Sequence, residues 1–134
     1  MAFSDLDSGC EEDPMTSIAP WLSVDDAGKA VDYYRAAFGA VELERLEDGA
    51  GGVVIARLSI DGADFWVQHE PGASPDGQPV RMILTVEDPD AAFTRALAAG
   101  GTEVSPVADG HGWRIGRFAD PSGHHWEVGR RLAP

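Results

Sequence analysis

With 134 residues, 43% hydrophobic and 25% charged, the chain has the composition of one ordinary globular domain, long enough to bury a core without disulfides or a structural metal. Ten basic residues against 23 acidic ones give a net charge of −13. That argues against nucleic acid as a partner, because phosphates would be repelled, and it mildly favours a cationic or neutral small molecule, although plain solubility is the better account of it. The lone Cys10 excludes an internal disulfide framework and a cysteine zinc cage. No apolar run approaches a membrane span, and the acidic N-terminus lacks the basic-then-apolar order of a signal peptide, so the cytoplasm is the expected compartment.

Residues 1–17 carry five acidic residues and no base, and read as an acidic flexible leader. Met15, just before the patterned region, is a possible alternative start. A single domain is expected over 18–130, made of two modules at 18–70 and 80–130. Residues 18 to 24 read as a strand, and Asp25 or Asp26 can cap a helix. Ala27, Ala30, Val31, Tyr34, Ala37 and Phe38 then fall at helical spacing and form one buried stripe. Gly39 stops that helix. Strands follow at 41–46, 53–60 and 63–69, with a Gly-rich turn at 47–52 and a hairpin signal at Asp61-Gly62. Three Pro and two Gly in residues 71–79 mark a linker.

The second half repeats this order. A strand at 80–86 precedes Asp88, a cap, and Pro89, a first helical residue; Ala92, Phe93, Ala96 and Leu97 make the buried stripe, and Gly100-Gly101 end it. Strands are expected at 102–107, 113–119 and 124–129, the last two joined by the turn Asp120-Pro121-Ser122-Gly123. At an offset of 62 residues Val24 meets Val86, Asp26 meets Asp88, Ala30 meets Ala92 and Gly39 meets Gly101. A duplicated strand–helix–strand–strand–strand (βαβββ) module follows, and with it an α+β domain in which a curved mixed sheet surrounds a cavity suited to a ligand.

Two stretches carry a family resemblance. The first is Trp21-Leu22-Ser23-Val24 with Ala30-Val31-Asp32-Tyr33-Tyr34 and Phe38-Gly39. The second runs from Trp113-Arg114-Ile115-Gly116-Arg117-Phe118-Ala119 through Asp120-Pro121-Ser122-Gly123-His124-His125-Trp126-Glu127. In this order, after a duplicated module, they resemble the glyoxalase/bleomycin-resistance/dioxygenase (vicinal oxygen chelate) superfamily, and within it the compact PhnB-like branch. The resemblance implies the paired-module fold and commonly a homodimer, which would also cover open strand edges. It further implies four inward metal ligands in the metal-dependent members. Carried across, those positions fall on Ala19, Trp66, Arg81 and Glu127, of which only Glu127 is a ligand type. No cofactor is therefore expected. A divalent metal would need a rearranged site joining His125 and Glu127 with His69 or His111.

Trp21 and Trp66 map to the concave face, either as an aromatic wall or as cavity-filling core; Gln68 shares the face of Trp66, while His69 should point to the helix side. Glu127 reads as a catalytic carboxylate or as the ion-pair partner of Arg81, and Arg81 could recognise a ligand oxygen. His125 shares the strand face of Glu127. One of Arg114 and Arg117 should reach the cavity, since they are three apart on a strand. The segment Asp109-Gly110-His111-Gly112 is a lid or a plain turn, with Trp113 at its end. Two functions remain open, beside the blander reading of a vestigial member with a filled cavity and a purely structural or interaction role. One is a metal-free binding protein that sequesters a cationic or aromatic small organic molecule on Trp21, Trp66, Gln68, Arg81, Glu127 and His125. The other is a metal-dependent or metal-free lyase, isomerase or dioxygenase acting through Glu127.

Overall fold

The computed structural model describes residues 17–74 and 80–133. The expectations for residues 1–16, with Cys10 and Met15, and for the linker at 75–79 lie outside the described residues. The first module comprises β1 (Trp21–Val24), α1 (Ala27–Phe38), β2 (Val41–Glu47), β3 (Val53–Ile60) and β4 (Ala63–His69). The second comprises β5 (Arg81–Thr85), α2 (Pro89–Ala98), β6 (Thr102–Gly110), β7 (Trp113–Ala119) and β8 (His125–Arg131). Each module builds its own four-stranded mixed sheet, in the orders β1-β4-β3-β2 and β5-β8-β7-β6. Among the described residues no strand pairing joins the two sheets, so the architecture is two sheets rather than one continuous curved sheet.

Local chemistry explains the element ends. The Asp26 side chain accepts from the Lys29 N–H at the start of α1, and Gly39 closes the helix at φ 68°, a conformation that a Cβ disfavours. Asp88 caps α2 in the same way, through the Ala91 N–H, with Pro89 in the first turn. Asp61 and Gly62 both have positive φ, 50° and 90°, as a tight hairpin turn requires. The first strand begins three residues later than expected, at Trp21, and Ile18 is 95% exposed. The largest departure is β6, which runs to Gly110 because Asp109 pairs with Arg114 and Gly110 with Trp113. Only His111 and Gly112, at φ 55° and 82°, form the turn. A two-residue hairpin of this kind holds its strands in register, so of the two readings of 109–112 the turn is the one found, confined to His111 and Gly112.

Alternation along the strands divides each sheet into a helix-covered face and an open face. Leu22, Val24, Leu58, Val67, Phe118, Trp126 and Val128 are fully or almost fully buried on the covered faces. The two halves meet through an aromatic seam. The Tyr34 ring lies 5.2 Å from Phe65 in the first sheet and 5.5 Å from Trp126 in the second, and Phe38 lies 4.7 Å from Trp126.

Polar contacts lock the seam. The Tyr33 hydroxyl donates to the Ala96 carbonyl at 3.0 Å, and Arg95 Nε donates to the Ala36 carbonyl at 2.8 Å. The buried Asp120 carboxyl accepts from the Tyr34 hydroxyl at 2.5 Å and from Trp126 Nε1 at 2.9 Å, both at Oδ2. Its Oδ1 accepts from the backbone N–H groups of Ser122 and His124, which shapes the turn between β7 and β8. Burial first, and the Asp120 charge second, hold both tyrosine hydroxyls above their ordinary pKa.

Gly101 sits where the seam is tightest. A Cβ there would lie 2.7 Å from the Tyr33 hydroxyl, 3.0 Å from the Ala96 carbonyl oxygen and 3.2 Å from the Phe118 ring. Gly101→Ala must therefore displace the Tyr33–Ala96 tether. It is expected to lower the stability by about 1–3 kcal/mol, the usual cost of overpacking, as a reduced urea midpoint at unchanged slope.

Candidate functional site

The predicted site residues fall into two groups, one on the open face of each sheet. On the first sheet Trp21, Trp66, Arg57 and Glu44 are successive register neighbours across β1, β4, β3 and β2. The Trp21 and Trp66 rings stack at 6.0 Å with an interplanar angle of 26°. Gln68 Oε1 accepts from Trp21 Nε1 at 2.9 Å and from the Ser23 hydroxyl at 3.3 Å, which orients the Trp21 ring. Trp21 remains 48% exposed, so it is surface rather than core. The Arg57 guanidinium lies 5.7 Å from the Trp66 ring centre and pairs with Glu44 and Asp64. The local balance is two carboxylates to one guanidinium. His69 points to the helix side, where its Nδ1 accepts from the Ala27 N–H.

On the second sheet Arg81 is the register neighbour of His125, Ile83 of Glu127, and Glu127 of Arg117. Arg81 Nη1 and Glu127 Oε2 form an ion pair at 3.0 Å. Arg117 is the arginine that shares this face; its Nε and Nη2 both lie against His125 Nδ1, at 3.0 and 2.7 Å. A guanidinium can only donate, so Nδ1 accepts and the ring proton sits on Nε2. Arg114 turns the other way, to Asp90 and Asp109. His124, on the face opposite His125, is buried and reaches the Ser23 carbonyl at 2.9 Å.

The desolvated position of His125, followed by the charges of Arg117 and Arg81, holds its pKa below the ordinary value of about 6.5. Protonation is then easier in the unfolded chain. The stabilising contribution is complete above about pH 6.5 and is lost as the pH falls through the lowered value. An NMR titration should place the His125 ring below free histidine, and His125→Gln, which keeps an acceptor for Arg117, should flatten the acid-side loss of stability.

The two groups do not share one cavity. A cavity of about 740 Å³ lies where the modules adjoin and is lined by Ala19, Arg57, Asp64 and Trp66 from the first module and by Met82, Ile83 and Leu84 from the second. Of the residues expected together, only Trp66 lines it. Trp21 and Gln68 lie along the same sheet face, and Arg81 and Glu127 lie on the second sheet beside Ile83. His125 lines a separate, more polar cavity with Asp25, Asp26 and Lys29. Sequence reasoning gave Arg57 no role in the site, and it missed Ser23, Asp64 and Ile83. Among the described residues no group of three or more His, Cys, Asp or Glu side chains is arranged to hold a metal, and no helix is long and apolar enough to cross a membrane.

A βαβββ unit used twice, with one helix on each sheet and open faces left for ligands, defines the class of glyoxalase/bleomycin-resistance/dioxygenase folds. Residues 21–129 match the Glyoxalase-like domain, and the chain belongs to that family. It is 41% identical over 125 residues to Mb0911c of Mycobacterium bovis, covering 85% of this chain and 82% of that one. It is 30% identical to the anthracycline biosynthesis protein DauV of Streptomyces sp., covering 87% of this chain and half of that protein. Among solved structures, TioX from Micromonospora sp. superposes with a TM-score of 0.69 at 29% identity, over 89% of this chain and 98% of that one. A glyoxalase/bleomycin resistance protein/dioxygenase family enzyme from Burkholderia phytofirmans shares the fold at a TM-score of 0.67 and 15% identity, over 84% and 95% of the two chains.

Proposed function

We propose that this protein binds a small aromatic or cationic organic molecule without a metal, and sequesters it. The observation that carries the reading is the cavity of about 740 Å³ walled by Trp66, which sits beside the half-exposed Trp21. That volume suits a drug-sized ligand, and a stacked indole pair offers a planar face to a planar guest. Glu44 and Asp64 outnumber Arg57 beside Trp66, which favours positive charge on the guest. The name of DauV, an anthracycline biosynthesis protein, points to the same ligand class.

The positions that the superfamily resemblance assigns to metal ligands do not suit a divalent ion. Ala19 and Trp66 offer no donor, and the Arg81 guanidinium already holds Glu127 at 3.0 Å. A fixed cation at a ligand position repels a second one. Glu127 is thereby an ion-pair partner rather than a free base. A homodimer is part of the proposal: β2 and β6 are open edges that expose Val41, Leu43, Leu46 and Val104.

The test is a thermal-shift panel of proflavine, an anthracycline and uncharged controls, with elemental analysis of protein purified without chelator. Aromatic cations at about 100 times Kd should add roughly 2.7 kcal/mol of stability, visible as a raised Tm. Stoichiometric metal lost in Glu127→Ala, or no shift across the panel, would sink the reading. Light scattering at a single-chain mass would remove the dimer.

A further inference from the structure

Resting on the metal-free reading above, we infer that the open face of β5, β7 and β8 is an oxyanion receptor, in which Arg117, Arg81 and the His125 ring N–H hold a ligand carboxylate. In a chain with 23 acidic and 10 basic residues, most guanidinium groups should find a carboxylate. Arg35, Arg45, Arg57, Arg81 and Arg114 do. Arg117 does not. Arg117 is half-buried, and among the described residues its hydrogen-bond partner is the neutral acceptor His125 Nδ1. Glu127 is its direct register neighbour, yet that carboxylate is held by Arg81 instead.

The donors left over lie on one face of the second sheet. Two of the five N–H groups of Arg117 are used on His125, so three remain. Arg81 is 51% exposed on its side chain and commits only Nη1. His125 is the register neighbour of Arg81, and its Nδ1 is occupied, which leaves Nε2–H to donate. Among the strand residues, Arg81 and Arg117 against Glu127 leave a single positive charge, while Asp25, Asp26 and Lys29 border His125 from the first module. A monoanion matches that charge, whereas a phosphate dianion would add repulsion beside Glu127. The family's ligand position at Arg81 thus carries a protein cation in place of a bound one, and the polarity of the guest group it attracts is the same.

The face also adjoins the cavity. Ile83 is the register neighbour of Glu127 and lines the cavity together with Trp66. A ligand whose carboxylate sits on Arg117 and Arg81 can run its apolar body over Ile83. The ligand class is therefore a small aromatic acid, with or without a cationic group at its far end.

The test uses 2-naphthoate and its uncharged isostere 2-naphthamide on the full chain, followed by tryptophan fluorescence and by the NMR signal of the His125 ring. Naphthoate is expected to bind about tenfold or more tighter than naphthamide and to shift the His125 Nε2–H resonance. Arg117→Met should bring the two affinities within about twofold, while Arg130→Met, at an exposed position, should change neither. Equal affinity for both probes, binding of neither, or an unmoved His125 signal overturns the inference. Equal affinity leaves the aromatic-binding function standing, so the two failures are distinguishable. Naphthoate binding that requires added metal would instead sink the metal-free reading beneath it.

Discussion

Asp120→Ala is expected to cost about 3–5 kcal/mol of folding stability, a loss large enough to unfold a substantial fraction of the protein near body temperature. The carboxyl is 4% exposed and serves four donors, two at each oxygen. Alanine would strand the Tyr34 hydroxyl and Trp126 Nε1 in a region that water does not reach, at about 1–3 kcal/mol for each unsatisfied group. It would also release the turn that starts β8. Asp120→Asn cannot repair this. Whichever way the amide is turned, its NH2 faces two donors; the Tyr34 hydroxyl can rotate to accept, but the Trp126 indole or a backbone N–H cannot. Tyr34→Phe removes a single donor and leaves the other three bonds in place. The expected order of destabilisation is therefore Asp120→Ala, then Asp120→Asn, then Tyr34→Phe, read from urea midpoints. A loss below about 1 kcal/mol for Asp120→Ala would show that the seam is not held by this residue.

Trp66→Ala is expected to weaken the binding of planar aromatic ligands by about ten- to a hundredfold, with little effect on the fold. The ring is a wall of the cavity and stacks on a half-exposed neighbour. Trimming it widens the cavity on one side and removes both the aromatic face and the surface on which Arg57 rests. Trp66→Phe keeps part of that face and should lose less. Trp21→Ala should be milder again, because Trp21 is outside the cavity lining and acts by supporting Trp66. Isothermal titration with proflavine separates these cases. Equal affinities for native protein and Trp66→Ala would move the binding site elsewhere.

Much of this was legible in the chain because it is written locally. The 62-residue repeat predicts two equivalent modules, and their sheets share one strand order. The cap at Asp88, a first cap at Asp25 or Asp26 that the structure assigns to Asp26, the stop at Gly39 and the Asp61-Gly62 hairpin follow from side-chain and backbone chemistry within a few residues. Alternation put Trp66 and Gln68 on one face and His69 on the other, as found. What failed is what local pattern cannot encode. Asp109-Gly110 has the composition of a turn, yet strand pairing with Trp113 and Arg114 absorbs it. Arg114 and Arg117 were indistinguishable until the register of β7 with β8 put Arg117 beside Glu127. The grouping of Trp21, Gln68, Arg81 and Glu127 around one cavity assumed a relation between the two sheets that depends on seam packing. Asp120 looked like turn chemistry alone; a Trp six residues on and a Tyr on the first helix were its other partners, and no spacing rule connects them.

The seam has a bearing on the history of the molecule. Tyr33, Tyr34 and Ala36 on the first helix are tied to Ala96, Asp120 and Arg95, and His124 to the backbone of β1, all across the join between repeats. Such contacts resemble the mating surface of two separate subunits more than the interior of one. The buried Tyr33 and Tyr34 hydroxyls of the first repeat find their acceptors in the second, so the two halves complete one another's hydrogen bonding. A gene fusion that tethered two ancestral partners would have made their meeting unimolecular and left the two ligand-facing surfaces free to diverge, one towards acid and indole, the other towards guanidinium.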